Sequence, residues 1–397
     1  MVHLNDEARI YLDNAATSFP KPECVYDEMD AFGRTSAGNP GRSGHWMAVG
    51  SEHAINEARQ TINQFFGGED PKRCVSTLNC TDSLNMAMKG VLNHGDHVVT
   101  SILEHNSVSR PLRKREIDKR ISVTKVKADG NGFIDPDDVA RAMNPNTRLV
   151  VLAHASNVLG TIQPIREIGR LVRERDVLFL VDAAQTAGIV PINIREDYID
   201  LLAFPGHKSL FGPMGIGGLY VGTRAQLRAW REGGSGGNSA SPTQPTEFPQ
   251  FLEAGTPNVL GIVGLCQGIK WIMAQGIDSL RGHELDLVER IHNWARASEK
   301  WRVHGKFDRA THVGTISLSA HNLDPAEIGT ILDQEYKIAI RPGLHCAPYA
   351  HQSLGTMPAG TLRVSVGPFN TRDEVDLLCK ALDEIAVEMG RTCCVRE

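Results

Sequence analysis

The stretch VDAAQTAGIVPINIREDYIDLLAFPGHK, residues 181–208, decides the fold. Two apolar runs, one that ends at the first residue of this stretch and one inside it, each lead to a charged side chain. Asp182 directly follows the run at 177–181, and Lys208 follows a second run and a Pro-Gly-His turn. Short apolar runs of this kind predict buried strands. In an open α/β sheet, ligands bind at the carboxyl ends of the strands, so the two opposite charges predict a ligand cleft.

A carboxylate and an amine that face one cleft are the pair that pyridoxal phosphate chemistry requires. The lysine amine forms a Schiff base with the aldehyde of the cofactor. The carboxylate keeps the pyridine nitrogen protonated, so that the ring accepts electrons from a substrate carbanion. Asp182 and Lys208 are therefore the first candidate cofactor-binding residues. The alternative for a lone lysine after a strand is a solvated charge.

The length and composition are those of an ordinary soluble globular protein. The 397 residues suffice for two domains, and 41% are hydrophobic while 22% are charged. The net charge is −5 and the Lys and Arg residues are scattered along the chain, so we expect no nucleic-acid partner. The start of the chain has no basic segment followed by an apolar run, and no stretch has the length of a membrane span. We therefore expect a cytoplasmic protein with no membrane partner.

The eight cysteines do not have the spacing of metal ligands, so we expect no metal site. In a reducing compartment most of them would be free thiols. They lie at positions 24, 74, 80, 266, 346, 379, 393 and 394.

Alternating strands and helices predict a parallel sheet covered by helices. Strands are expected at 97–102, 122–126 and 148–153, with a helix at 136–143 before the last of these. Towards the end of the chain, Thr371 and Glu374 form the pattern of a capping box at the start of a final helix, which we expect to run from 372 to 389.

Seven motifs in one order along the chain resemble those of the class V aminotransferases of PLP fold type I, and within them the SufS-like cysteine desulfurases and selenocysteine lyases. The motifs are YLDNAAT (11–17), LEHNS (103–107), HASNVLG (154–160), VDAAQ (181–185), GHK (206–208), EAGTPN (253–258) and RPGLHCAP (341–348).

This resemblance implies an α/β protein with a large domain and a smaller one. The large domain contains a mainly parallel, seven-stranded sheet covered by helices, and the smaller C-terminal domain is α+β. We expect an N-terminal arm at 1–20, a large PLP-binding domain at 21–275, and a small domain at 276–397 that carries the Cys346 loop.

The resemblance also implies roles for residues around the cofactor. The imidazole of His105 would stack on the ring and shuttle a proton; the alternative for this residue is a polar cap at a strand end. Asn157 and Gln185 would hydrogen-bond the phenolic oxygen of the cofactor. The phosphate ligands would be Cys80 and Thr81 at a helix N-terminus, His207, and Thr256 from the partner subunit of a homodimer.

Pro205 departs from the pattern of the family. Many relatives have a serine at this position whose hydroxyl contacts the phosphate, whereas proline has neither that hydroxyl nor an N–H. The substitution would weaken retention of the cofactor.

The motif RPGLHCAP indicates which PLP-dependent reaction the protein would catalyse. Cys346 lies in a short loop beside His345, whose imidazole could support thiolate formation. In SufS-like enzymes such a loop carries the nucleophile that accepts sulfur. The alternative is a buried small residue.

Substrate-binding residues are also implied. Arg363 would bind the α-carboxylate of an amino acid with its planar guanidinium group; the alternative is a surface ion pair. Ala16 and Asn157 would border the substrate. Arg42 lies in a Gly-rich loop that would reach the site of the neighbouring subunit, or else is a solvated turn residue.

The activity implied is PLP-dependent conversion of L-cysteine to L-alanine, with transfer of sulfur to Cys346 as a persulfide and onward to an acceptor protein, for example in iron–sulfur cluster assembly. Three alternatives remain at this point. They are a selenocysteine lyase, a class V epimerase or aminotransferase that does not need Cys346, and a catalytically silent PLP-fold partner protein.

Overall fold

The computed structural model describes residues 9–41, 44–236 and 240–394, with side chains as far as residue 389. Its strands are β1 Ile10–Tyr11, β2 Cys74–Thr77, β3 His97–Ser101, β4 Ser122–Val126, β5 Thr147–Ala153, β6 Leu178–Asp182, β7 Leu201–Pro205, β8 Gly217–Val221, β9 Trp301–His304, β10 Thr315–Ala320, β11 Ile338–Ala339, β12 Arg341–Gly343 and β13 Thr361–Ser365.

The helices alternate with these strands over most of the chain. They are α1 Glu23–Thr35, α2 Trp46–Phe65, α3 Cys80–Val91, α4 Asn106–Ile117, α5 Pro136–Ala142, α6 Ile165–Glu174, α7 Val259–Gln275, α8 Ile277–Ala297, α9 Pro325–Glu335, α10 Pro348–Leu354 and α11 Arg372–Cys394, with short 3-10 turns at Pro71–Arg73 and Arg309–Thr311.

The central element is a seven-stranded sheet in the order β2-β8-β7-β6-β5-β3-β4. All neighbouring strands are parallel except β8, which runs antiparallel to both β2 and β7. The sheet is thus mainly parallel with one reversed strand. This architecture confirms the predicted α/β fold class.

Both faces of the sheet are covered, which explains why its strands are apolar without alternation. Successive residues of β6 point to opposite faces. Phe179 and Val181 lie in the hydrophobic core on one face, and Leu178 and Leu180 lie in the core on the other. Burial on both faces leaves only the strand ends free to present polar groups.

A second, four-stranded antiparallel sheet has the order β12-β13-β10-β9. It packs with α8, α9 and α11 around a core that includes Leu287, Leu332 and Leu382. The N-terminal segment joins this part of the molecule, because β1 pairs in parallel with β11 and Leu12 is buried in the same core.

Gly276 separates α7 from α8 with a positive φ of 84°, and the two helices meet at an angle of 83°. In the described part of the chain no single helix is long and apolar enough to cross a membrane; α7 and α8 reach the required length and composition only when they are taken together.

The capping box at the start of α11 is confirmed. The backbone N–H of Glu374 donates to Thr371 Oγ1 at 3.2 Å, and the backbone N–H of Thr371 donates to Glu374 Oε2 at 2.9 Å. The helix continues beyond the predicted end at residue 389 and reaches Cys394.

Candidate active site

A cavity of about 220 Å³ lies at the carboxyl ends of β6 and β7. Its volume is several times the ~30 Å³ that one water molecule occupies in the liquid. The sequence-predicted residues that line it are Ala16, Cys80, Thr81, His105, Asn157, Asp182, Gln185, His207, Lys208 and Arg363.

Asp182 and Lys208 lie together in this cavity, as their places after two neighbouring strands predict. Asp182 Oδ1 accepts hydrogen bonds from Ala184 N at 2.9 Å and from Cys80 Sγ at 3.5 Å. Within the described residues no donor bonds to Oδ2, which leaves this oxygen for a ligand. Burial raises the pKa of Asp182 and lowers the pKa of Lys208. The charge of each group partly offsets the effect of burial on the pKa of the other group.

His105 is the N-cap of α4 rather than a cap at a strand end. Its Nδ1 accepts from the backbone N–H of Ser107 at 3.1 Å and contacts Ser107 Oγ at 2.8 Å. Burial, together with the nearby positive charge of Lys208, lowers the pKa of His105 to about 4. The ring is therefore neutral at neutral pH and is a weaker base than an ordinary histidine, which suits stacking better than proton transfer.

The N-terminus of α3 opens on the same cavity and offers backbone N–H groups to an anion. Asn79 caps the helix through its side-chain oxygen, which accepts from Asp82 N at 3.0 Å. Thr81 Oγ1 lies 2.7 Å from Ser107 Oγ, so these two hydroxyls form one polar edge. The Cys80 thiol points to Asp182, so only the backbone of Cys80 remains to contact a phosphate.

The residues of the cavity fit pyridoxal phosphate. His207 Nδ1 is buried and has no hydrogen-bond partner in the described part of the chain, and Asp182 Oδ2 likewise has no protein donor. Burial lowers the pKa of His207 to about 4, so its ring is neutral. A partly buried amine, a carboxylate with one free oxygen and a helix N-terminus are the groups that the aldehyde, ring nitrogen and phosphate need. Pro205 also lines the cavity and contributes no side-chain donor.

The side-chain amides of Asn157 and Gln185 tie neighbouring segments to the cavity. Asn157 Nδ2 donates to the carbonyl of His345 at 2.7 Å, and Gln185 Nε2 donates to the carbonyl of Ala15 at 3.1 Å. Both residues therefore hold loops that border the site, in addition to lining it.

Arg363 is almost completely buried, with 1% of its surface exposed, so it is not a surface ion pair. Its Nη2 donates to Asp13 Oδ1 at 2.7 Å and its Nη1 donates to the carbonyl of Asn157 at 3.2 Å. Its Nε is buried without a partner among the residues that the structure describes. The buried guanidinium thus keeps one N–H without an acceptor among the described residues.

The Cys346 loop is anchored at the edge of the cavity. His345 and Cys346 both have positive φ values, 48° and 58°, and the carbonyl of Cys346 accepts from Asn106 N at 2.7 Å. The loop is thus fixed next to His105 by one hydrogen bond and next to Asn157 by another. The side chain of Cys346 remains partly exposed.

The expectation that His345 supports thiolate formation is wrong. His345 is buried, its Nε2 contacts Thr361 Oγ1 at 3.1 Å, and burial lowers its pKa to about 2, so the ring carries no charge. The cation next to the thiol is instead Arg341, whose Nη2 lies 3.6 Å from Cys346 Sγ.

Three lining residues with polar side chains were not among the sequence-predicted site residues: Asn79, Ser107 and Arg341. Ser107 and Arg341 are the last residue of LEHNS and the first residue of RPGLHCAP, and Asn79 directly precedes the predicted phosphate ligands Cys80 and Thr81. The motifs thus marked the segments, but the direction of each side chain required the structure.

Two predicted residues of the described chain, Cys346 and Thr256, are not among those that line this cavity, although the Cys346 loop borders it. Thr256 is exposed and lines a separate, open pocket of about 680 Å³. Arg42 lies outside the described residues.

A mainly parallel sheet with a partly buried lysine and a buried carboxylate at its carboxyl edge defines a pyridoxal-phosphate-dependent enzyme of fold type I. Between residues 10 and 378 the sequence matches the family described as aminotransferase class V, and the chain belongs to that family.

Curated relatives cover almost the whole chain. A probable cysteine desulfurase from Methanothermobacter thermautotrophicus is 34% identical over 386 residues, which are 95% of this chain and 94% of the relative. The cysteine desulfurase IscS from Dictyoglomus turgidum is 30% identical over 402 residues, which are 96% and 95% of the two chains.

Solved structures show the same fold. The apo structure of a cysteine desulfurase from Thermococcus onnurineus NA1 has a TM-score of 0.90 at 31% identity. The crystal structure of the cysteine desulfurase CsdA (S-sulfonic acid) from Escherichia coli has a TM-score of 0.86 at 30% identity. Each comparison covers 96% of this chain and 95% of the other.

Proposed function

We propose that the protein is a cysteine desulfurase that converts L-cysteine to L-alanine and transfers the sulfur to Cys346 as a persulfide. The observation that carries this proposal is the cavity shared by Lys208 and Asp182, with the Cys346 loop anchored at its edge. The similarity to proteins named cysteine desulfurase over nearly the full chain supports the same activity.

Pyridoxal phosphate would be held by Lys208, by Asp182 Oδ2, by the His105 ring and by the α3 N-terminus with Thr81 and His207. When bound, it supplies an electron sink for the negative charge that forms at the α-carbon of the substrate. Substrate orientation comes from Arg363, whose free Nε receives the α-carboxylate of cysteine while Asp13 keeps the guanidinium in place.

Lys208 Nζ is the base that removes the α-proton. Burial lowers its pKa, so a larger fraction of the amine is unprotonated at neutral pH than for an exposed lysine. The negative charge of Asp182 partly offsets this lowering of the Lys208 pKa.

Cys346 Sγ, as the thiolate, then attacks the sulfur of the substrate. The S–S bond forms as the Cβ–S bond breaks, the electron pair of the broken bond stays with carbon, and Cβ takes up a proton. Lys208 Nζ then returns a proton to the α-carbon. The products are alanine and the Cys346 persulfide. The guanidinium of Arg341 lies 3.6 Å from Sγ and places a positive charge beside the attacking sulfur.

The partners follow from the same proposal. We infer a homodimer in which Thr256 reaches the cofactor phosphate of the other copy, because this threonine is exposed and lies outside the cavity of its own chain. We also propose a cytoplasmic location and a sulfur-acceptor protein, with iron–sulfur cluster assembly as the use of the sulfur.

Replacing Lys208 with alanine tests the assignment. We expect Lys208→Ala to lose both the visible absorbance of lysine-bound pyridoxal phosphate and the formation of alanine from cysteine, because no other amine lines the described cavity. Lys89→Ala, which removes an exposed lysine, is the control. An unchanged spectrum in Lys208→Ala would refute the lysine assignment, and faster turnover of selenocysteine than of cysteine by the unmodified protein would favour a lyase for that substrate.

A further inference from the structure

The carbonyl oxygen of His207, in the peptide bond that precedes Lys208, accepts an unusual number of hydrogen bonds from the N-terminal segment. Thr17 Oγ1 donates to it at 3.0 Å and Ser18 N at 3.1 Å. The third donor is Lys21 Nζ, at 2.8 Å. Ser18 Oγ also lies 3.3 Å away, but its one proton has a closer acceptor in Lys208 O, at 2.9 Å. A carbonyl has two lone pairs, so three donors converge on more than its ordinary capacity.

Lys21 differs from the other donors because it carries a charge. Its Nζ also donates to Ser18 O at 2.9 Å and to Ser18 Oγ at 2.8 Å, so all three of its protons have neutral acceptors. Its side chain is partly buried, and among the described residues its Nζ bonds to neutral oxygens and to no carboxylate. A charge held without a counter-ion requires strong acceptors, and a charge-assisted hydrogen bond is about twice as strong as a neutral one.

The carbonyl on the other side of the Lys208 α-carbon is held as well. Lys208 O accepts from Ser18 Oγ at 2.9 Å and from Phe211 N at 2.8 Å. Both peptide groups that flank the Lys208 α-carbon are therefore fixed, and the N-terminal segment contributes to both. The remaining freedom of Lys208 is rotation of its side chain.

We propose that Lys21 is a positioning residue for Lys208: its ammonium group fixes the His207–Lys208 peptide so that the Lys208 amine meets cofactor and substrate in one geometry. This inference rests on the proposed function only in so far as Lys208 is the reactive amine. The Lys208 amine must reach two positions in each cycle, the cofactor aldehyde and the α-proton of the substrate. A displacement of the Lys208 α-carbon therefore moves the amine away from both positions.

Two variants and a control test the proposal. Lys21→Met keeps the length of the side chain and removes the charge, Lys21→Arg restores a charged donor, and Lys114→Met makes the same change at an exposed lysine that pairs with Asp118. The first readout is the rate at which visible absorbance appears when pyridoxal phosphate is added to the apoprotein. The second is the separate kcat and KM for cysteine, with the thermal midpoint as a check of folding.

We expect Lys21→Met to slow the growth of absorbance and to lower kcat by about tenfold to a hundredfold, with KM close to the wild-type value. We expect Lys21→Arg to recover most of both rates and Lys114→Met to change neither. Wild-type rates in Lys21→Met would overturn the proposal. So would a loss that Lys21→Arg does not relieve, or one that accompanies a lower thermal midpoint, because either result assigns Lys21 a structural role alone.

The two proposals fail in different ways. If the wild-type protein makes no alanine from cysteine, the proposed activity is wrong. The growth of absorbance in the apoprotein still reports whether Lys21 controls the reaction of the Lys208 amine.

Discussion

At the scale of single residues, Cys80 illustrates how one side chain adjusts a cofactor site. Its thiol donates to Asp182 Oδ1 and so favours the ionised form of that carboxyl, which burial disfavours. The protein donors bond to Asp182 Oδ1, so Oδ2 is the oxygen that remains for a ligand in the cavity.

We expect Cys80→Ala to weaken binding of pyridoxal phosphate by about two- to tenfold, the value of one hydrogen bond, because the carboxylate loses a donor. Cys80→Ser, which keeps a donor, is the matched control. The dissociation constant is measured by titrating the apoprotein and following the visible absorbance. Equal affinity in Cys80→Ala and the wild-type protein would show that the thiol has no part in orienting Asp182.

Sequence reasoning located the segments of the site better than the side-chain directions within them. Asp182 and Lys208 could be placed together because the carboxyl ends of neighbouring strands meet at one edge of a sheet. The charged group beside the Cys346 thiol could not be predicted in this way. Two consecutive residues with positive φ turn His345 inward and leave Arg341 beside the thiol. Backbone conformations that L-residues rarely adopt are not encoded in a simple pattern.

At the scale of elements, the regular alternation of strands and helices could be predicted from the sequence, whereas the departures from this alternation could not. The limits of β4 agree with the prediction, and the capping box of α11 forms as expected. The reversed strand β8 had no clear signal, because it begins with two glycines that have no β-propensity. The pairing of β1 with β11 joins segments more than 300 residues apart, which local patterns cannot reveal.

Helix α8 carries a buried carboxylate with a consequence for stability. Burial raises the pKa of Glu284 to about 8 from its ordinary value of 4.5. The folded protein therefore holds a proton that the unfolded chain releases, so stability that is present below about pH 4.5 is lost as the pH rises through about 8.

We predict that unfolding by urea shows a smaller loss of stability between pH 6 and pH 9 in Glu284→Gln than in the wild-type protein. The difference should be about 1 kcal/mol or more, because glutamine does not titrate. Glu104, whose pKa burial also raises to about 8, is present in both proteins and cancels from the comparison. Parallel pH profiles for the two proteins would contradict the prediction.

At the scale of the whole molecule, the site draws on segments from across the chain. The N-terminal segment supplies Ala16, the seven-stranded sheet supplies Asp182 and Lys208, and the C-terminal part supplies Arg363 and the Cys346 loop. The order of motifs indicated this distribution, but only the packing of the two sheets brings the segments together.

The proposed homodimer adds a residue from a second copy. We expect light scattering to give twice the chain mass of 43.4 kDa, and we expect Thr256→Ala to lower the affinity for pyridoxal phosphate about tenfold, as for loss of a hydrogen bond to a charged group. Thr256→Ser should retain the affinity. A monomer with full affinity for the cofactor would refute the role of Thr256.

The most direct test of the account is the fate of the sulfur in a single turnover with L-cysteine. Mass spectrometry of the protein and quantification of alanine in the same sample should give one persulfide, on Cys346, for each alanine formed. Cys346→Ala should keep the visible absorbance of the bound cofactor and form no persulfide, while Cys24→Ala should behave like the wild-type protein. Release of sulfide and alanine by Cys346→Ala at the wild-type rate would contradict the account.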